Sequence, residues 1–312
     1  MTVLSLFDGI STGRLCLEMA GIQVDNYYAS EINPRAIQVS EKNFPDIIRL
    51  GDVTTIDVDK LPKIDLLIGG SPCQGFSRAG LCLNFDDPRS KLFFEYVRIL
   101  DAIRKKNPEV KFLLENVEMK KEWRAVITEY VGVEPCLINS KLLSAHNRPR
   151  MYWTNIDFER SIEDAGITVL DIVEAVDTSD YIDKDGVLFD PRIRPECRDL
   201  VSVVNGEVRI RQATKLGYIV AENGDGINLD FPTSKSRRGR VIKSKAPCLT
   251  TSTEPLVFVD GAIRQLTITE KERLQTLPDG FTEGVSYNAR LEALGNGWTA
   301  SVIAHIFRGL KL

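Results

Sequence analysis

The chain has 312 residues, 43% of them hydrophobic, which is enough for one large domain or a large and a small one around a sizeable core. No run of 18 apolar residues occurs and the N-terminus enters a strand-like TVLSLF without a basic leader, so an intracellular protein with no membrane span and no secretory signal is expected. A net charge of −4 argues on average against a nucleic-acid partner, and six scattered cysteines without a CxxC pair, with two histidines, argue against a metal site or a disulfide framework.

Taken in chain order, the first 155 residues alternate short apolar runs with longer amphipathic ones, the pattern of a parallel sheet covered by helices. Strands are predicted over 3–6, 27–30, 47–50, 64–68, 111–114 and 151–154. Helices are predicted over 12–20, over 34–43 with Pro34 in the first turn, and from an N-cap at Ser90 to about 106, where Pro108 follows. From about Asp157 the texture becomes irregular and β-rich. Helical patterning returns with a capped start at Thr269 and a further helix across 291–312. The expected fold class is therefore α/β, with a Rossmann-like sheet domain over 1–157 plus 264–312 and a smaller irregular β-rich domain over 158–263.

Ligands of open α/β sheets bind beyond the carboxyl ends of the strands. Here Phe7, Asp8 and Gly9 follow the first strand, Glu31 the second, Asp52 the third, Pro72 and Cys73 the fourth, and Glu115 and Asn116 the fifth. If the strands are parallel, all of these share one rim. The loop FDGISTG lacks the GxGxxG spacing that seats a pyrophosphate on a helix N-terminus. Glu31 follows about twenty residues later, where a carboxylate can accept from ribose hydroxyls. The acidic set Asp8, Glu31 and Asp52 suits a nucleoside with a positive charge, as in S-adenosylmethionine, better than a phosphorylated one. Cys73 is a candidate nucleophile at a strand end, although most free cysteines are buried fillers.

The ordered series FDGISTG, SEI, GDV, GGSPCQGFS, ENV, NRPRMYW and LGNGWTASVI resembles the motifs of the cytosine-5 DNA methyltransferase family over residues 1–155 and 265–312. Its catalytic part is most similar to that of the mammalian de novo enzymes, without their reader domains. That points to a stand-alone bacterial or phage enzyme, cytoplasmic in a bacterial cell or an infected host. The resemblance implies that Cys73 attacks C6 of cytosine and that Glu115 contacts N3 and the exocyclic amine. It implies further that Arg148 and Arg150 hold the base carbonyl and brace the nucleophile loop, Arg150 being closer to the base. The cofactor residues it carries over are Phe7, Asp8, Gly9, Ile10, Glu31, Asp52, Val53, Pro72, Leu92, Asn296 and Trp298. The family usually has glutamine where His146 stands. No residue is an obvious base for removing the C5 proton.

A base inside a duplex must be extruded to be reached, and the loop 74–91 is long enough to close over it. Residues 158–263 are then the target-recognition region. Its basic run, Lys235, Arg237, Arg238, Arg240, Lys243 and Lys245, is expected to meet phosphates of double-stranded DNA, and Thr250 lies in a string similar to the family's threonine-leucine pair. A monomer without a metal is expected. Two other readings stay open: a transfer-RNA cytosine-5 methyltransferase, although its CFT string is lacking, and an inactive relative that only binds DNA.

Overall fold

The computed structural model describes residues 1–71, 88–236, 238–251 and 254–310, with the backbone alone for 88–90. Pro72, Cys73, the remainder of the predicted loop up to 87, and Arg237 lie outside the described residues. The first half runs β1 (Thr2–Leu6), α1 (Thr12–Met19), β2 (Asn26–Ser30), α2 (Pro34–Asn43), β3 (Ile48–Arg49), β4 (Leu66–Gly70) and α3 (Pro88–Lys106). It continues with β5 (Lys111–Val117), α4 (Lys121–Val131), β6 (Cys136–Asn139) and β7 (Pro149–Thr154).

Among the described residues seven strands form one sheet in the order β3-β2-β1-β4-β5-β7-β6. Its first five members are parallel, as expected. Alternate residues face opposite layers: Val3, Leu66, Ile68 and Leu113 pack into one core, while Leu4, Leu6, Leu67, Phe112 and Leu114 pack into the other. Burial on both faces explains why these strands read as continuous apolar runs.

The last strand departs from the parallel expectation. β7 runs antiparallel to β5 and to β6. The crossover through α4 carries the chain to β6 at the sheet edge, and the chain then turns back through 140–148 to fill the gap beside β5. The third helix also begins at Pro88 rather than after Ser90, so Ser90 is helical and not a cap.

The second half adds β8 (Ile182–Lys184), β9 (Val187–Phe189), α5 (Pro195–Arg198), β10 (Val201–Val204), β11 (Glu207–Arg211) and β12 (Tyr218–Ala221). β13 (Asp225–Asn228), β14 (Arg240–Ile242), β15 (Leu256–Val259) and β16 (Ala262–Gln265) follow. They make a sheet ordered β14-β13-β15-β16-β9-β8 and a three-stranded sheet β10-β11-β12, over a separate core that includes Phe189, Ile210, Ile227 and Ile263. The expected boundary between 263 and 264 falls inside β16.

Three helices close the chain: α6 (Ile268–Leu274), α7 (Tyr287–Asn296) and α8 (Ala300–Phe307). The cap of α6 is Thr267, not Thr269: its side chain accepts from the Glu270 N–H while the Glu270 carboxylate accepts from the Thr267 N–H. The helix expected over 291–312 is two helices broken at Gly297, and α8 packs into the same core as α1, with the Cys16 thiol 3.4 Å from the Ala300 carbonyl.

Candidate active site

A cavity of about 320 Å³ opens at the rim where β1, β2, β4 and β5 end. Its size suits a nucleoside-like ligand. Apolar walls come from Phe7, Ile10 and Trp298, and acids from Asp8, Glu31 and Glu115. The first loop turns sharply, with left-handed backbone at Phe7, Gly9 and Ser11 (φ 56°, 59° and 59°). Strain of this kind in non-glycine residues persists only where surrounding contacts hold it. Here the Asp8 N–H donates to the Ser30 carbonyl (3.0 Å) and the Gly9 N–H to Glu31 Oε2 (2.8 Å), so the end of β2 holds the turn.

Glu31 also accepts at Oε1 from the N–H groups of Ile32 and Asn33, both at 2.8 Å. Asp8 accepts from the hydroxyls of Ser11 and Tyr27. Burial pushes the Asp8 carboxyl above the ordinary carboxylate range, with Glu31 adding to the rise, against those hydrogen bonds. Gly13, at the end of the FDGISTG loop, serves packing: a Cβ there would stand 2.5 Å from Ile68 Cδ1 and 2.9 Å from the Tyr27 hydroxyl.

The reversed direction of β7 decides the second part of the site. The start of β7 lies at the same rim as the end of β5, with Val117 opposite Arg150 and Glu115 opposite Tyr152. Glu115 and Arg150 are therefore diagonal neighbours on one face. Arg150 Nε stands 3.1 Å from Glu115 Oε1, and the Trp298 indole N–H donates to Glu115 Oε2 at 3.0 Å. Glu115 is 8% exposed. The next residue, Asn116, donates from Nδ2 to the carbonyl and hydroxyl of Ser71 (3.3 and 3.2 Å), fastening the end of β5 to the residue that precedes Pro72.

Arg148 lines the same cavity but is buried in a different task. Its guanidinium donates to the carbonyls of Leu249 (2.7 Å), Gly295 (2.9 Å) and Gly297 (2.9 Å). Two residues earlier, buried His146 accepts the Leu249 N–H on Nε2 at 2.7 Å. Burial, then the charges of Arg148 and Arg150, hold the His146 imidazole well below its ordinary value and thus neutral. One residue, Leu249, is gripped at both its N–H and its C=O.

Most of the expected residues come together here. Phe7, Asp8, Gly9, Ile10, Glu31, Glu115, Arg148, Arg150, Asn296 and Trp298 all line the cavity. Asp52, Val53 and Leu92 do not. Asp52 is exposed and accepts from the N–H and hydroxyl of Thr54, while Val53 and Leu92 belong to the core under the opposite sheet face. Tyr27, whose hydroxyl holds Asp8 from nineteen residues away, escaped the sequence reading because it sits within a strand and its polar partner is remote in the chain.

The basic run is divided by the structure. Lys235 and Arg240 are exposed and Arg238 is half-buried. Lys243 instead holds Asp225 and Glu222, both at 2.9 Å, and Lys245 ties the carbonyls of Lys141, Ser144 and Ile167. Thr250 sits against helix α7, where a Cβ on Gly295 would meet its carbonyl carbon at 2.6 Å. Among the described residues no group of three His, Cys, Asp or Glu side chains could hold a metal, and no helix is long and apolar enough to cross a membrane.

Residues 1–125 match the family model of C-5 cytosine-specific DNA methylases. Over 119 residues, 37% of this chain, the sequence is 41% identical to the type II methyltransferase M.NgoBV of Neisseria gonorrhoeae, an alignment that spans 27% of that protein. The chain thus spans about a quarter of the length of the curated relatives it matches. The fold is similar over essentially its whole length to the methyltransferase EhMeth of Entamoeba histolytica (TM-score 0.65, 16% identity, 100% of this chain and 99% of that one). It is similar likewise to the Dnmt2 methyltransferase of S. pombe (TM-score 0.60, 18% identity, 100% of both chains). At such identities these structures speak for the fold alone.

Proposed function

Because residues 1–125 match the family model of C-5 cytosine-specific DNA methylases, we propose that the chain transfers a methyl group from S-adenosylmethionine to C5 of a cytosine extruded from duplex DNA. The observation that carries the reading is the pair Glu115 and Arg150 at the strand rim, beside an acid-lined cavity that borders Trp298. The cavity fits the cofactor in size and charge: the apolar surfaces of Phe7, Ile10 and Trp298 would flank it, and the Glu31 carboxylate would accept from its ribose hydroxyls. When bound, S-adenosylmethionine supplies an electrophilic methyl on a cationic sulfur.

Cytosine C5 is too weak a nucleophile to take a methyl directly. In the proposed sequence the Cys73 thiolate forms a bond to C6, and the electron pair of the C5=C6 bond moves to C5. A free thiol is only about 3% thiolate at pH 7, so attack needs help from the ring. Glu115 gives that help by donating a proton toward N3, and Arg150 holds the Glu115 carboxyl beside the base. After transfer, the C5 proton passes to solvent water, its electron pair re-forms the C5=C6 bond, and the C6–S bond breaks to release Cys73 as thiolate. Residues 158–263 are proposed as the target-recognition part, with Lys235, Arg238 and Arg240 on phosphates.

The test is bisulfite sequencing of plasmid DNA after incubation with the protein and S-adenosylmethionine, beside a parallel assay on transfer RNA. Methylated cytosines in DNA are expected, with a denaturant-resistant adduct on 5-fluorocytosine DNA that Cys73→Ala removes. Glu115→Gln is expected to slow transfer by about 10²-fold or more, in the range of a lost general acid. Methylation of transfer RNA alone would replace the DNA reading, and DNA binding with neither product nor adduct would make the chain an inactive relative.

A further inference from the structure

We propose that Trp298 is a positioning residue for Glu115, its indole N–H fixing the carboxyl that works on the base and so joining the cofactor cavity to base activation. The inference rests on the function proposed above. A cavity wall needs only an apolar ring, which phenylalanine would supply. Trp298 does more: its N–H is directed at one oxygen of a buried carboxylate whose other oxygen is taken by Arg150. With one donor on each oxygen the carboxyl group cannot turn about its terminal torsion. Without the indole it is held on one side only.

The surroundings are built around this bond. β4 ends in Gly70, where a Cβ would stand 3.0 Å from Glu115 Oε2 and 3.2 Å from Trp298 Nε1. The backbone on either side of Trp298 is pinned. The Gly297 carbonyl accepts from Arg148 (2.9 Å) and from Gln275 Nε2 (3.1 Å), and the Thr299 hydroxyl donates to Gln275 Oε1 (2.8 Å) while accepting from Ser140 (2.8 Å). Those contacts leave the ring little latitude. The pins come from Ser140, Arg148 and Gln275, and the ring is backed by Gly13, where a Cβ would stand 3.5 Å from Trp298 Cζ3.

The test uses the base chemistry without the cofactor. With duplex DNA alone, addition of the Cys73 sulfur to C6 lets C5 take up a solvent proton, and its original hydrogen leaves when the sulfur departs, so tritium at C5 is released to water. In Trp298→Phe, release is expected to slow about tenfold or more, since small misplacement of a catalytic group has effects of this size, while the Kd for S-adenosylmethionine by calorimetry changes less than about threefold. Gly70→Ala, whose methyl crowds both Glu115 Oε2 and Trp298 Nε1 while both side chains remain, is expected to slow release as well, and carries the test should Trp298→Phe not fold. Full-rate release in the variants, with weakened cofactor binding in Trp298→Phe, would reduce Trp298 to a wall and overturn the inference. A wild-type chain with neither release nor methyl transfer would remove the underlying function too, which separates the two failures.

Discussion

His146 shows how one substitution in a motif can be absorbed. The resemblance places glutamine at this position, and the neutral imidazole does what a glutamine oxygen would do, accepting the Leu249 N–H at 2.7 Å. The exchange introduces a pH dependence that glutamine would not. The folded imidazole resists a proton that the unfolded one accepts below about pH 6.5, so stability is full above that pH and falls as the pH drops through it. Between pH 7 and 5.5 the loss is expected to be about 1 kcal/mol. Urea titrations across this range should show it in the wild type, with a flatter profile in His146→Gln. Glu31 makes a comparable case on the other side of the cavity. Its carboxylate collects the N–H groups of Gly9, Ile32 and Asn33, and Glu31→Gln puts an amide donor against them. Affinity for S-adenosylmethionine, measured by calorimetry, is expected to fall about tenfold or more, the equivalent of one charge-assisted hydrogen bond.

Among the elements, β7 has the largest consequence. Apolar runs marked out every strand of the sheet but β6, because strands buried on both faces leave a continuous signal while this edge strand is only partly buried, and direction leaves no signal at all. The reversal depends on α4 and β6. The spacing of Trp123, Ile127 and Val131, four residues apart, is the trace that α4 left in the sequence, ended by Gly132 in left-handed conformation. The rim set of Phe7, Glu31 and Glu115 was legible because a parallel sheet collects its carboxyl ends. The role of Arg148 was not, since its partners at Leu249, Gly295 and Gly297 are about 100 and 150 residues away. A planar fork spans three carbonyls from two segments, and an ammonium does not. Arg148→Lys is expected to lower stability by about 2 kcal/mol, read by urea titration, through carbonyls left buried and unpaired.

Over the whole molecule, the negative net charge conceals an uneven surface. The basic run looked uniform in sequence, yet folding separates cations that face solvent from cations that hold the fold. Exposed Lys235 and Arg240 are expected each to reduce the slope of log affinity for DNA against log salt by about 0.9 when changed to Ala, if each meets one phosphate. Lys243→Ala is expected to leave that slope unchanged and to lower stability instead, because it strips a cation from Asp225, which is 2% exposed. Binding titrations at several salt concentrations distinguish the two classes. The cavity itself is assembled from both ends of the described chain: α8 lies on α1, and the turn that carries Trp298 reaches the loop after β1. A ribosome makes the first wall early and the last wall some 290 residues later. A nascent chain therefore has no complete cavity while it is being translated, and any ligand of that cavity must wait until the C-terminal helices have emerged and docked.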